Sequence, residues 1–141
     1  ESKKKGERIV MTNGCFDILH PGHISYLEEA KSKGDKLIVA INDDESIKKI
    51  KGKDRPIMTL KDRAKMLYAL SSVDWVVSFS EQTPEDLISE IIPNVLVKGG
   101  DYQDTEIIGG DIVLKNGGSV MSLSFIEGFS SSEIIKKLYK E

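Results

Sequence analysis

Short apolar runs rich in β-branched residues recur along the chain with helical patterns between them, and this alternation restricts the fold more than any other feature. Residues 8–12, 36–41, 75–79, 95–97 and 119–123 read as strands. Residues 21–33, 60–71, 84–92 and 131–139 read as helices. A strand that is apolar on both faces has no side to give to water, so it belongs inside a sheet covered twice by helices. The expected fold is α/β, a Rossmann-like parallel five-stranded sheet with helices on both faces. Crossovers in such a sheet are right-handed, and ligands lie beyond the carboxyl ends of the strands near the switch in strand order. The residues directly after each strand are therefore where chemistry is expected.

The 141 residues are 39% hydrophobic and 30% charged, a balance suited to one globular domain. We assign that domain to residues 9–141 and read residues 1–8 as a polar tail or linker remnant. A net charge of −3 gives no reason to expect a nucleic-acid partner. The longest apolar runs fall far short of the ~20 residues of a membrane helix, and the Lys-rich start precedes no apolar segment of a signal peptide. The single cysteine, Cys15, excludes an internal disulfide and suits a reducing cytoplasm.

After the first strand come Thr12, Asn13, Gly14, Cys15, Phe16 and Asp17, then His20, Pro21, Gly22 and His23. Pro21 suits the first turn of a helix, which places both histidines of the protein at the helix start. Free N–H groups and a positive partial charge collect there, a natural seat for phosphate oxygens. Gly22 would leave room for a ligand near the backbone. On spacing alone, a capping histidine beside a surface histidine also fits, whereas a zinc pair lacks further ligands.

Three other clusters follow strands or open helices. Residues 50–59 form the least regular stretch and read as a mobile basic loop, with Lys51, Lys53 and Arg55 in it and Arg63 in the next helix. Arg55 and Arg63 suit bidentate phosphate contacts and Lys53 a point charge, although such loops are often only solvated surface. Lys98, Gly99, Gly100, Asp101 and Tyr102 follow the fourth strand. There the glycines would admit a flat base and Asp101 would accept from it, unless the segment is a plain glycine turn. Ser130, Ser131 and Ser132 open the last helix, where one serine suffices as a cap and three suggest phosphate contacts.

Gly14, Cys15, Phe16 and Asp17 with His20, Pro21, Gly22 and His23 resemble the signature of the cytidylyltransferase-like nucleotidyltransferases. In that superfamily the two histidines contact the nucleotide phosphates and stabilise the transition state, so His20 and His23 are implied as catalytic. Ser71–Phe79 and Leu96–Tyr102 narrow the resemblance to adenylyltransferase domains that make ADP-heptose from heptose 1-phosphate. This implies ATP as substrate with Mg²⁺ carried on its phosphates, a sugar 1-phosphate as acceptor, and a product used for lipopolysaccharide core. It also implies a homodimer and a fused or separate heptose kinase. ATP would lie across Thr12 to Asp17, with Gly22 and the three serines near its phosphates and Lys98 to Asp101 near its base. The acceptor would lie toward Asp17, Asn42, Lys53, Arg55 and Arg63. Cys15 reads as packing and not as a nucleophile. Glycerol-phosphate cytidylyltransferases share the first motif, but Phe125 stands where they carry an arginine. They remain an alternative, as do a flavin mononucleotide adenylyltransferase and a non-catalytic nucleotide-binding module.

Overall fold

Five strands, β1 (Ile9–Gly14), β2 (Lys36–Asn42), β3 (Trp75–Phe79), β4 (Val95–Gly99) and β5 (Ser119–Leu123), pair in the order β3-β2-β1-β4-β5, every pair parallel. The computed structural model describes residues 1–100, 106–124 and 129–139. Side chains alternate across the sheet as the doubly apolar strands require. Val10, Leu37, Val39, Ile41, Val95 and Val97 face one way, into a core closed by Tyr26, Leu27, Ala30 and Leu67. Those four come from α1 (Pro21–Lys31) and α3 (Leu60–Tyr68). Ile9, Met11, Ile38, Ala40 and Leu96 face the other way. There they meet Ile88 of α4 (Glu85–Ile91) and Val113 of α5 (Gly110–Lys115). The fold is thus the α/β sheet covered on both faces that the strand pattern predicts.

The chain leaves β1 for β2 and β3 on one side, then returns to place β4 against the other edge of β1. The switch in strand order therefore lies between β1 and β4, and a crevice opens at their carboxyl ends. Strand boundaries extend one or two residues beyond the sequence reading at that edge, to Gly14, Asn42 and Gly99. α6 (Ser131–Leu138) closes the described chain. Lys3, in a 3₁₀ turn at Lys3–Lys5, donates to the carbonyls of Ile91 and Ile92 at the end of α4. The segment read as a tail is thus hydrogen-bonded to the domain. Among the described residues no helix is long and apolar enough to cross a membrane.

Two helices were not expected. α2 (Asp44–Lys51) has only two apolar positions, Ile47 and Ile50, and is started by Asp43, whose side chain accepts from the Ser46 N–H. Its basic last turn matches the helix dipole. α5 is six residues long, too short for a periodic pattern to be read. The basic stretch after β2 is consequently part helix, and its second half is held in place. Asp17 accepts from the backbone N–H groups of Ile57 and Met58 at 2.9–3.0 Å, and from Arg55 Nε at 2.8 Å.

Arg63 also corrects its sequence reading. It is 1% exposed, and its guanidinium donates to the carbonyls of Met58, Cys15 and Asn42 and to Asp44 Oδ1, all at 2.8–3.1 Å. These bonds use Nε and both terminal nitrogens, so Arg63 ties three loops together. Arg63→Ala removes the donor from three carbonyls at once, where an unsatisfied buried group costs about 1–3 kcal/mol. We expect a loss of about 3 kcal/mol in urea unfolding, with Arg63→Lys recovering only part because it lacks the planar fork. A loss below about 1 kcal/mol for the alanine variant would mean that water replaces the guanidinium.

Candidate active site

Beyond the carboxyl ends of β1, β2 and β4 lies an open cavity of about 610 Å³. Asn13, Gly14, Cys15, Phe16 and Asp17 form its floor, with His20 and His23 at one side and Ser130, Ser131 and Ser132 above them. Asn42, Lys51, Arg55 and Lys98 complete the polar wall. Two smaller recesses of about 230 and 250 Å³ share Asn13 and Lys98 with it, and the first also contains Gly99 and Tyr26.

The histidines owe their positions to helix capping. His20 precedes α1 in an extended conformation, and its Nδ1 accepts from the His23 N–H at 3.3 Å. His23 Nδ1 accepts from the His20 N–H at 3.4 Å, which completes a reciprocal capping box. The two rings stack with centroids 3.8 Å apart, and Phe129 stacks on His20 at 5.7 Å. Gly22 is needed because a Cβ there would lie 3.0 Å from the His20 ring and from Phe129 Cβ. The room expected for a ligand beside Gly22 is filled by these side chains. Pro21 occupies the first helical position, as the sequence suggested.

Nδ1 of each ring accepts a hydrogen bond, so in the neutral form the proton of each imidazole resides on Nε2. Burial holds the His20 pKa below its ordinary 6.5. Burial, then the neighbouring His20, lowers that of His23 to about 4. A backbone hydrogen bond to Ile18 opposes the lowering at His23 without outweighing it, so the pair is neutral at pH 7 with a proton on each Nε2. Cys15 is a neutral thiol, because burial raises its pKa against the pull of Lys51, Arg63 and Arg55. This agrees with reading it as packing. Burial opposes ionisation of Asp17, but the Ile57 and Met58 N–H groups and Arg55 outweigh it and keep the carboxylate below its ordinary pKa.

The cavity wall carries Lys51, Arg55 and Lys98 against the single carboxylate of Asp17. Burial, with the nearby Lys51 ammonium adding to it, lowers the Lys98 pKa, and among the described residues no hydrogen bond or ion pair engages its ammonium. The wall therefore suits a polyanion. It offers no metal cage, since no group of three His, Cys, Asp or Glu side chains converges among the described residues.

Several expected contacts fall elsewhere. Thr12 is fully buried, with its hydroxyl 2.6 Å from Tyr26 Oη, and it ties β1 to α1 without facing the cavity. Asp17 is 2% exposed and saturated by the loop. Lys53 is exposed outside the cavity, and its place is taken by Lys51 at the end of α2. Gly100 donates its N–H to the Leu123 carbonyl and is absent from the lining. Asp101, Tyr102 and Phe125 lie outside the described residues. Ser130 caps α6 and Ser131 donates to the Ile18 carbonyl at 2.7 Å, which docks the helix onto the histidine loop. The sequence reading missed Ile50, Gln82 and Phe129 as lining residues. Only Phe129, beside the serines, carried a signal that could have found it.

A family described as cytidylyltransferase-like matches residues 11–137. The bifunctional protein HldE of Coxiella burnetii is 58% identical over 138 residues, covering 98% of this chain and 29% of that protein. HldE of Actinobacillus pleuropneumoniae is 59% identical with the same coverage. The chain thus spans less than a third of the length of these relatives. Among solved structures, a lipopolysaccharide core biosynthesis protein from Thermoplasma volcanium is 30% identical with a TM-score of 0.69. That match covers 86% of this chain and 98% of the other. A pantoate-β-alanine ligase from Francisella tularensis, 20% identical with a TM-score of 0.60, shares the fold over 97% of this chain and 72% of its own.

Two expected outcomes follow from the site geometry. A histidine with a folded pKa below 6.5 adds stability above pH 6.5 that is lost as pH falls toward its folded pKa, because the unfolded chain then binds more protons. Thermal unfolding temperatures should therefore fall between pH 6.5 and about 4. His23→Gln keeps a capping-box residue but cannot titrate, and should flatten that slope; an unchanged slope would assign it to other groups. Separately, Lys51→Ala should raise the apparent KM for a phosphorylated ligand several-fold, while Lys53→Ala leaves it within about twofold, since screened attraction fades with distance. Equal effects would mean that the loop acts as a diffuse charge.

Proposed function

The chain belongs to the cytidylyltransferase-like family, and on that premise we propose that it transfers AMP from ATP to a heptose 1-phosphate, giving an ADP-heptose and pyrophosphate. The observation that carries this reading is the stacked, neutral histidine pair at the N-terminus of α1, on the wall of a cavity lined by three cationic side chains. Identity near 58% with HldE, together with the likeness to a lipopolysaccharide core biosynthesis protein, supports the ADP-heptose branch. The relatives are bifunctional by name and much longer, so we place this chain as one part of such a protein, beside a kinase half.

In the proposed reaction a phosphate oxygen of the acceptor attacks the α-phosphorus in line. The new P–O bond forms as the bond to the β-phosphate bridging oxygen breaks, and pyrophosphate leaves. A phosphate monoester is largely ionised at pH 7, since its second pKa is near 6, so no general base is needed. What the chain supplies is alignment and hydrogen-bond donors where charge redistributes. His20 and His23 serve as neutral Nε2–H donors to α-phosphate oxygens, and neutral rings leave the cationic role to Lys98, Lys51 and Arg55. Ser130–Ser132 and the start of α6 suit the β- and γ-phosphates. Mg²⁺ enters as part of the Mg·ATP substrate, where it neutralises phosphate charge. The nucleoside fits the recess between Gly99, Phe16 and Tyr26.

The test compares kcat/KM for ATP and CTP with heptose 1-phosphate, glycerol 3-phosphate and flavin mononucleotide, read by pyrophosphate release. ATP with heptose 1-phosphate should lead, with ATP preferred over CTP by roughly five- to hundredfold, the range that one or two hydrogen bonds to a base allow. His20→Ala, folded by circular dichroism, should lose about 10²–10³ in kcat. Faster CMP transfer to glycerol phosphate would assign the chain to the cytidylyl branch. No release with any pair would leave a nucleotide-binding module.

A further inference from the structure

Asn42 stands at the carboxyl end of β2, 5% exposed and on the cavity wall, and which way its carboxamide points decides what it can recognise. The buried side chain behind it settles this. Ser46, in the first turn of α2, is 1% exposed and does not face the cavity. Its Oγ lies 3.0 Å from the Glu81 carbonyl and 2.9 Å from Asn42 Nδ2. A hydroxyl has one proton, and a carbonyl can only accept. The Ser46 proton is therefore committed to Glu81, and Ser46 Oγ must accept from Asn42. The amino group of the carboxamide is thereby turned inward. Oδ1 is left on the side of Cys15, a cavity residue whose Sγ lies 3.8 Å away as a weak donor.

An inward amino group and an outward oxygen make Asn42 a neutral acceptor at a wall that carries Lys51, Arg55 and Lys98 and the Asp17 carboxylate, which the loop already occupies. An acceptor oxygen repels phosphate and accepts a hydrogen bond from a hydroxyl. Asn42, expected from the sequence on the acceptor side, thus suits a hydroxyl of the acceptor better than its phosphate. We propose that Asn42 Oδ1 reads a hydroxyl of the acceptor, and that Ser46 is the positioning residue that fixes its orientation and hence selects polyhydroxylated phosphates. This rests on the proposed transfer to a sugar 1-phosphate and specifies which kind of group on that acceptor is read. The Glu81 carbonyl adjoins Gln82, a second carboxamide on the wall, so the same bond holds both sides of that corner.

The experiment measures the chain with heptose 1-phosphate and its monodeoxy analogues, for wild type, Ser46→Ala and Ser46→Thr. Ser46→Ala should raise the acceptor KM about tenfold, with kcat and the KM for ATP within about threefold, as expected for one lost orienting hydrogen bond. It should also erase the discrimination against one deoxy analogue, and Ser46→Thr, which keeps the hydroxyl, should restore both. Unaltered discrimination in Ser46→Ala, or a change confined to the KM for ATP, overturns the inference. If Ser46→Ala does not fold, Asn42→Ala decides, and it must lose discrimination against the same analogue. If no sugar 1-phosphate is turned over, the proposed acceptor fails. The inference is then judged by the Asn42 side-chain amide resonance with mannitol 1-phosphate. A shift in wild type that is absent in Ser46→Ala supports it, and no shift in wild type overturns it.

Discussion

The loops beyond the carboxyl edge of a parallel sheet leave backbone N–H and C=O groups with no strand to pair with, and here two buried charged side chains meet that demand. Asp17 accepts the N–H groups of Ile57 and Met58, and Arg63 donates to the carbonyls of Cys15, Asn42 and Met58. Met58 is held from both sides, its N–H by the carboxylate and its carbonyl by the guanidinium. An acid suits amides and a base suits carbonyls, so neither side chain could do the other's work. The two share no direct bond, yet both fix the same loop against the ends of β1 and β2. Each buried charge is compensated locally, Asp17 by Arg55 and Arg63 by Asp44, which keeps the burial of charge tolerable.

The histidine pair shows how one arrangement can meet a structural and a chemical need together. The reading of His20 as a helix cap and its reading as a phosphate donor compete when only spacing is known. In the structure they use different atoms of the ring. Nδ1 takes the backbone N–H, which leaves Nε2–H as the donor and fixes the direction of the ring. Stacking at 3.8 Å also discourages two adjacent positive charges, consistent with the low pKa of His23. A neutral donor pair costs less to bury than an imidazolium pair.

The sheet, its helical cover and the position of the crevice were legible from apolar periodicity, because burial on both faces leaves few arrangements. The motif around His20 was legible because Pro21 marks the helix start. Charge was harder to read. Arg55, Arg63, Lys51 and Lys53 look alike in sequence, yet one is tied to Asp17, one is buried under three carbonyls, one lines the cavity and one is solvated. Their fates depend on α2, which carries Lys51 to the cavity, and on loop bonds made across 38 to 48 positions of sequence. Neither is recorded in local pattern. Thr12 was misplaced for a related reason, since a polar residue ending an apolar strand can face Tyr26 as readily as the site.

Arg55 shows how the scaffold and the proposed chemistry can share one side chain. Its Nε is bonded to Asp17, and no bond among the described residues uses its terminal nitrogens. A guanidinium donates through five N–H groups in a plane, so a phosphate can be met at the free edge while the other edge stays on the carboxylate. Pairing with Asp17 lowers the net attraction of Arg55 for an anion, but it removes the entropy of ordering a long side chain when the ligand arrives. Lys98 is the opposite case. Among the described residues no side chain bonds its ammonium, and burial lowers its pKa. An incoming phosphate would favour the charged form of Lys98 and offset its burial, while Arg55 supplies geometry that exists beforehand.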